Sequence, residues 1–154
     1  MAPRFLLDGM LGSLSRWLRI GGYDTEYRKD TPDDALIKEA LADDRILLTR
    51  DEVLVKRACK RGVEAIYVEN GDEKALSQLT KELGITLDPM LARCPKCNHT
   101  VEKVTKADVE GKVPQGTFST VYEYWICSGC GGIYWRGSHW PRIVETINNA
   151  AKGA

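Results

Sequence analysis

Four of the five cysteines stand as two pairs, Cys94-Pro95-Lys96-Cys97 and Cys127-Ser128-Gly129-Cys130, while Cys59 is alone. A Cys-x-x-Cys turn sets two thiolates on one side of an ion, and two such turns close a tetrahedral site with no vacancy for water, which is the chemistry of structural zinc. Two unrelated redox or structural pairs are the competing explanation. Duplicated turns with Pro95 and Gly129 inside them favour metal, as does an odd thiol count in a reducing compartment. The stretch Asn98 to Ile126 is longer than the usual ribbon spacing, so a loop or short helix is expected around Thr105 to Val113.

A second set is acidic. Asp8 ends the apolar run Phe5-Leu6-Leu7, Asp33 and Asp34 open a helical pattern, and Asp51 follows Ile46-Leu47-Leu48-Thr49-Arg50. Each of the last three has a plain explanation: Asp33 or Asp34 as a helix cap or first-turn dipole partner, and Asp51 as a bystander to a Thr49/Glu52 capping box. Asp8 resists one, because a carboxylate ending a buried strand needs a charged or metallic partner. Clustered carboxylates raise one another's pKa unless a cation neutralises them, and oxygen-only ligation suits Mg²⁺ or Mn²⁺. Such a site hydrolyses phosphodiesters.

The elements that must position these groups follow from periodicity. Residues 4–84 alternate short apolar runs with amphipathic stretches, the rhythm of an α/β sheet. Strands are expected at Arg4 to Asp8, Thr25 to Arg28, Arg45 to Thr49 and Val63 to Val68. Helices are expected at Gly9 to Ile20 (with Met10, Leu11, Leu14, Trp17 and Leu18 inward), Asp33 to Asp43 (Leu36, Ile37, Ala40 and Leu41), Asp51 to Arg61 and Asp72 to Leu83. Right-handed crossovers on a mostly parallel sheet bring the C-terminal strand ends to one edge, and Asp8 and Asp51 with them. Residues 85–92 read as a linker. Beyond it come strands at Thr100 to Val104, Thr120 to Ile126 and Gly131 to Trp135, and a closing helix near Trp140 to Ala151. Two domains result, residues 1–92 and 93–154.

With 22 basic and 22 acidic residues in 154, the chain is no polybasic nucleic-acid coat, so any such site is local. Residues 1–92 carry 14 basic and 17 acidic side chains, whereas residues 93–154 carry 8 and 5. No apolar run is long enough to span a membrane, and Asp8 interrupts the one stretch that resembles a signal core, so a cytoplasmic protein is expected. Gly9-Met10-Leu11-Gly12 is not a phosphate-binding P-loop, there is no GxGxxG after the first strand, and the second Asp of haloacid-type phosphatases is missing.

Arg16 and Arg19 on the first helix, Arg50 beside Asp51, and Ser13 are candidates to grip substrate phosphates. Lys56, Arg57, Lys60 and Arg61 form like-charge pairs that either a phosphate backbone or neighbouring acids would balance. Tyr134, Trp135, Arg136, His139 and Trp140 mix stacking surfaces with cations, which suits single-stranded RNA; core roles are expected for Trp17 and Trp140, and a small buried role for Cys59.

Phe5-Leu6-Leu7-Asp8-Gly9-Met10-Leu11-Gly12, Arg16-Trp17-Leu18-Arg19, Leu47-Leu48-Thr49-Arg50-Asp51, both cysteine pairs and Tyr134-Trp135-Arg136-Gly137-Ser138-His139-Trp140 together resemble the Mut-seven C-terminal RNase family over nearly the whole length. The resemblance implies a PIN-like three-layer domain followed by a zinc ribbon, and metal-dependent RNA cleavage with Asp8, Asp33 and Asp51 at the acidic positions. For a fourth acid the chain offers Glu69 or Asp72. The rival expectation is a non-catalytic RNA-binding adaptor whose acids only cap helices.

Overall fold

The computed structural model describes residues 2–89 and 92–152. Its first half is β1 (Phe5–Asp8), α1 (Gly12–Ile20), β2 (Thr25–Arg28), α2 (Asp33–Ala42), β3 (Ile46–Thr49), α3 (Glu52–Lys60), β4 (Ala65–Tyr67) and α4 (Asp72–Leu83). The strands form one parallel sheet in the order β2-β1-β3-β4. Because side chains alternate across a strand, β1 feeds both faces. Phe5 and Leu7, with Leu48, meet Leu11, Leu14 and Leu18 of the α1 region and Leu76 and Leu79 of α4. Leu6 and Leu47 meet Leu36 and Ile37 of α2 and Leu54 and Ala58 of α3. The three layers expected are present.

Four details of this half depart from expectation. Helix α1 starts at Gly12 and leaves Met10 84% exposed, because Leu11 N donates to Asp8 O at 3.0 Å and uses residues 8–11 in a turn. Leu41 is exposed, since the inward face of α2 is filled by Leu36, Ile37 and Ala40. Cys59 is exposed rather than buried, one step round α3 from the buried Ala58. The segment read as a linker is a packed strap: Ile85 and Leu87 join the α1/α4 core, Asp88 N donates to Gly21 O, and a Cβ on Gly21 would come within 2.8 Å of Leu87. Met90 and Leu91 lie outside the described residues.

The second half forms a three-stranded antiparallel sheet from β5 (Val101–Val104), β6 (Tyr124–Cys127) and β7 (Ile133–Tyr134) in sequence order. A 3-10 turn over Lys106–Val109 occupies the expected insertion, and α5 (Gln115–Thr120) follows it. The strand expected from Thr120 starts only at Tyr124; the Tyr124 hydroxyl donates to Thr117 O, holding α5 against that strand. Finally α6 (Trp140–Lys152) returns along α4 and adds Ala150 to the first core. None of the helices among the described residues is long and apolar enough to cross a membrane.

Candidate active site

Asp8 ends β1 and Thr49 ends its neighbour β3, so both face the C-terminal edge of the sheet. The Thr49 hydroxyl donates to Asp8 Oδ2 at 2.8 Å and accepts from Asp51 N at 3.1 Å, threading the two acidic positions together. Asp51 is itself the cap of α3: its Oδ1 accepts from Val53 N at 2.9 Å and Leu54 N at 3.2 Å. The Thr49/Glu52 capping box is therefore not formed; Thr49 serves Asp8 instead, a role that LLTxD spacing alone does not reveal.

Partial burial pushes the Asp8 carboxyl above its ordinary range, and the negative charges of Asp51 and then Asp33 push the same way, against the Thr49 hydrogen bond. Asp8 thus feels both of the other carboxylates. Asp33 and Asp34 form the first turn of α2, where Asp33 Oδ2 lies 3.3 Å from Arg57 Nη1, and Asp34 meets both Arg57 and Arg61. The basic face of α3 is in this part balanced by acids. Among the described residues, the acidic edge is more open than the thiol site: only the four cysteines bring three or more ligand atoms within 4.8 Å of one another.

Other proposed contacts divide between the two edges of the sheet. Ser13, in the first turn of α1, donates to Asp72 Oδ2, which aims Asp72 toward the loop after Asp8. Glu69 instead borders a groove with Ser77, Gln78, Lys81 and Glu82. Arg50 donates to Glu69 O at 3.1 and 3.3 Å, tying the loops after β3 and β4, and Arg16 is exposed at the middle of α1. Arg19 is a different matter. It lies near the far end of α1, 7% exposed, and donates to Thr25 O and Pro95 O, both at 2.9 Å. With its guanidinium spent on backbone carbonyls at the opposite edge from Asp8, it is a bolt rather than a phosphate grip.

The thiols converge as the spacing predicts. Cys94 and Cys130 Sγ are 3.8 Å apart and Cys97 and Cys127 Sγ 3.3 Å, and all four lie within 4.8 Å. Four sulfurs at the roughly 2.3 Å bond length of a tetrahedral thiolate site stand about 3.8 Å apart, so the set is positioned to bind one metal ion. Gly129 N and Cys130 N donate to Cys127 Sγ. Cys94 is lowered to about 6: burial opposes its charge, but the Tyr134 hydroxyl donating at 2.9 Å and neighbouring amides outweigh it. Cys97 is pushed up to about 12 by burial and then by the adjoining thiols, as expected when four share a site. Gly129 is required where the His99 ring covers it; a Cβ there would fall 2.4 Å from Nδ1.

Asn98 escaped the sequence reading. It is 4% exposed with φ 72°, accepts from Thr25 N at 2.9 Å, and donates to Asp24 Oδ1 at 2.7 Å and Glu26 Oε1 at 3.0 Å. Arg93 adds an ion pair to Asp24 at 3.6 Å. The first cysteine turn is thereby pinned to the start of β2, while Asp8 is three residues along the neighbouring strand, about 10 Å away on the sheet.

Arg136 lies 5.3 Å from the Trp125 ring centre and 5.4 Å from that of Trp140, and Trp135 packs edge-on to buried Tyr124. Trp17 packs on the core as expected; Trp140 is only partly buried and lines an open cleft.

Neither the comparison with curated proteins nor that with solved structures gives a match. The family model described as Mut7-C RNAse domain matches residues 3–147, spanning both the acidic edge and the thiol site, and the chain belongs to the Mut7-C RNase family.

Proposed function

We propose that this protein is a metal-dependent ribonuclease in which Asp8, Asp33 and Asp51 hold Mg²⁺ or Mn²⁺, with Asp72 as the fourth acid, and in which the four cysteines hold structural zinc. One observation carries the reading: burial, and then negative charge from Asp51 and Asp33, raise the Asp8 pKa against the hydrogen bond that the Thr49 hydroxyl donates to it. A fold keeps such repulsion where a cation is to be bound. The donors fit a hard divalent ion, being all oxygen, and Asp51 Oδ2 is left over from helix capping. When bound, the cation supplies positive charge to a phosphodiester and lowers the pKa of water for attack at phosphorus.

The chain's own groups do the positioning. Thr49 fixes the carboxylate plane of Asp8, the α3 amides fix Asp51, and Ser13 orients Asp72. Arg50, directly after β3, is placed to meet a phosphate beside the scissile bond, and Arg16, exposed on α1, is the second candidate. Thiols held by metal rather than paired suit a reducing compartment, the cytoplasm.

Purified protein incubated with RNA and Mg²⁺ or Mn²⁺ should cleave it. Asp8→Asn should abolish cleavage without loss of fold, because removing a charge that the native state disfavours leaves thermal stability at pH 7 equal or higher. Undiminished cleavage by that variant would remove the proposal. A second reading, a non-catalytic RNA-binding adaptor, is favoured by one feature: Asp51 is satisfied by helix amides and Asp33 and Asp34 by Arg57. RNA binding with no cleavage under any divalent cation is its expected result.

A further inference from the structure

The stretch from Ile133 to Ile143 contains three aromatic residues, Arg136, His139 and Arg142, and no acid, in a chain of zero formal net charge. The structure folds it round a cleft of about 230 Å³, walled by Ile133, Tyr134, Trp135, His139, Trp140 and Ile143. That volume is below the roughly 300–1,000 Å³ of pockets for whole small molecules and leaves room for one planar ring system. Gly137 helps keep it open, since a Cβ there would approach the Trp135 indole to 3.1 Å. Arg136 is stacked at 5.3 and 5.4 Å with Trp125 and Trp140, which restrains its long side chain, and it is exposed, as are His139 and Arg142.

We propose that this cleft, between β7 and the start of α6, is a stacking site for one unpaired RNA base, with Arg136 and Arg142 meeting the adjacent phosphates. Flat apolar walls accept any base face, and no carboxylate lines the cleft. Glu123, whose charge reaches Arg136, is ion-paired with Lys103 at 2.9 Å, so Arg136 and Arg142 leave a net positive rim that selects a polyanion over an apolar peptide. A base in a duplex is already stacked on both sides and cannot enter, so the site selects single strands. The proposal rests on RNA being the substrate, but not on the chemistry at Asp8.

The test uses the full zinc-loaded chain carrying Asp8→Asn, so that RNA is not cut, and a fluorescein-labelled eight-nucleotide single-stranded RNA read by anisotropy and by tryptophan quenching. The single strand is expected to bind and quench, and the duplex of the same sequence to bind at least tenfold more weakly. Adding Trp140→Leu should weaken single-strand binding by about tenfold, the usual loss for one stacked base. Arg136→Gln, at an exposed position, serves if Trp140→Leu does not fold, and should lower the salt dependence by about one phosphate contact. Equal binding by parent and both variants, or equal binding of duplex and single strand, would overturn the proposal. So would a dimer, seen by light scattering, that Trp140→Leu dissociates, which would assign the cleft to a second copy of the chain. If the unmutated protein cleaves no RNA while the cleft variants still lose single-strand binding, the nuclease reading fails and this one stands.

Discussion

Asn98 gives the sharpest test of how the thiol module is held to the parallel sheet. Removing its side chain leaves the amide of Thr25, a residue with no exposed surface, without its acceptor at 2.9 Å, and an unsatisfied buried donor costs about 1–3 kcal/mol. The bonds to Asp24 and Glu26 are charge-assisted but reach partly solvated carboxylates, so together they add about 1 kcal/mol. Asn98→Gly, which keeps the backbone at φ 72° without strain, should therefore lose about 3 kcal/mol. Asn98→Ala should lose about 1 kcal/mol more, because a Cβ disfavours the left-handed region. Guanidinium unfolding followed by tryptophan fluorescence measures both, with zinc content assayed in parallel to show that the metal site is intact. A loss below 1 kcal/mol for Asn98→Gly would mean that the module is held by other contacts, and equal losses for the two variants would refute the backbone argument.

Two further outcomes follow from charge. Asp24 and Glu26 are held below the usual carboxylate range: burial opposes this, but hydrogen bonds from Arg45 and Asn98 to Asp24, and from Asn98 and Arg28 to Glu26, outweigh it. A depressed native pKa gives stability that is present above the unfolded value, about 4, and lost as pH falls through the native value. The melting temperature should therefore fall steeply below about pH 4, with a smaller drop in Asn98→Gly; an unchanged pH profile in that variant would sink the assignment. Arg57 acts at the other edge, where its guanidinium holds Asp33 and Asp34 as an internal counter-cation. Arg57→Gln should tighten Mn²⁺ binding severalfold, measured by calorimetry on uncut protein, since a repelling unit charge near a partly exposed site costs about 1 kcal/mol; weaker binding would show that Arg57 instead holds Asp33 in place for the ion.

What was legible in the sequence was whatever repeats locally. The four strands, the bounds of α4 and the pairing of cysteines depend on period, turn chemistry and fixed spacing, all of which lie within a dozen residues. Topology then carried Asp8 and Asp51 to one edge, because parallel strands leave little choice. Most of the failures required knowledge of a distant surface, Met10, lost to a local turn, being an exception. Arg19 sits at a polar position of α1 by any local measure, yet Pro95 arrives from 76 residues away to bury it. Cys59 and Leu41 fail for the converse reason, in that nothing comes to cover them. Asn98 is invisible because a left-handed Asn after a cysteine turn reads as turn chemistry alone.

These misses share a functional consequence. Arg19, Asn98 and Arg93 all fasten the first cysteine turn to the start of β2, at the edge of the sheet away from Asp8. The thiol module is therefore not a lid on the acidic edge, and a ribbon that grips RNA must do so at a distance from the bond being cut. Helix α6 runs from the aromatic cleft at its Trp140 end to a groove that Asn149 shares with Glu69 and Glu73. On the proposed reading an RNA that engages both sites has to bridge them, so short RNAs should lose the contribution of the cleft before they lose the chemistry: KM should rise as the strand is shortened, while kcat holds until the phosphates at the acidic edge are themselves removed.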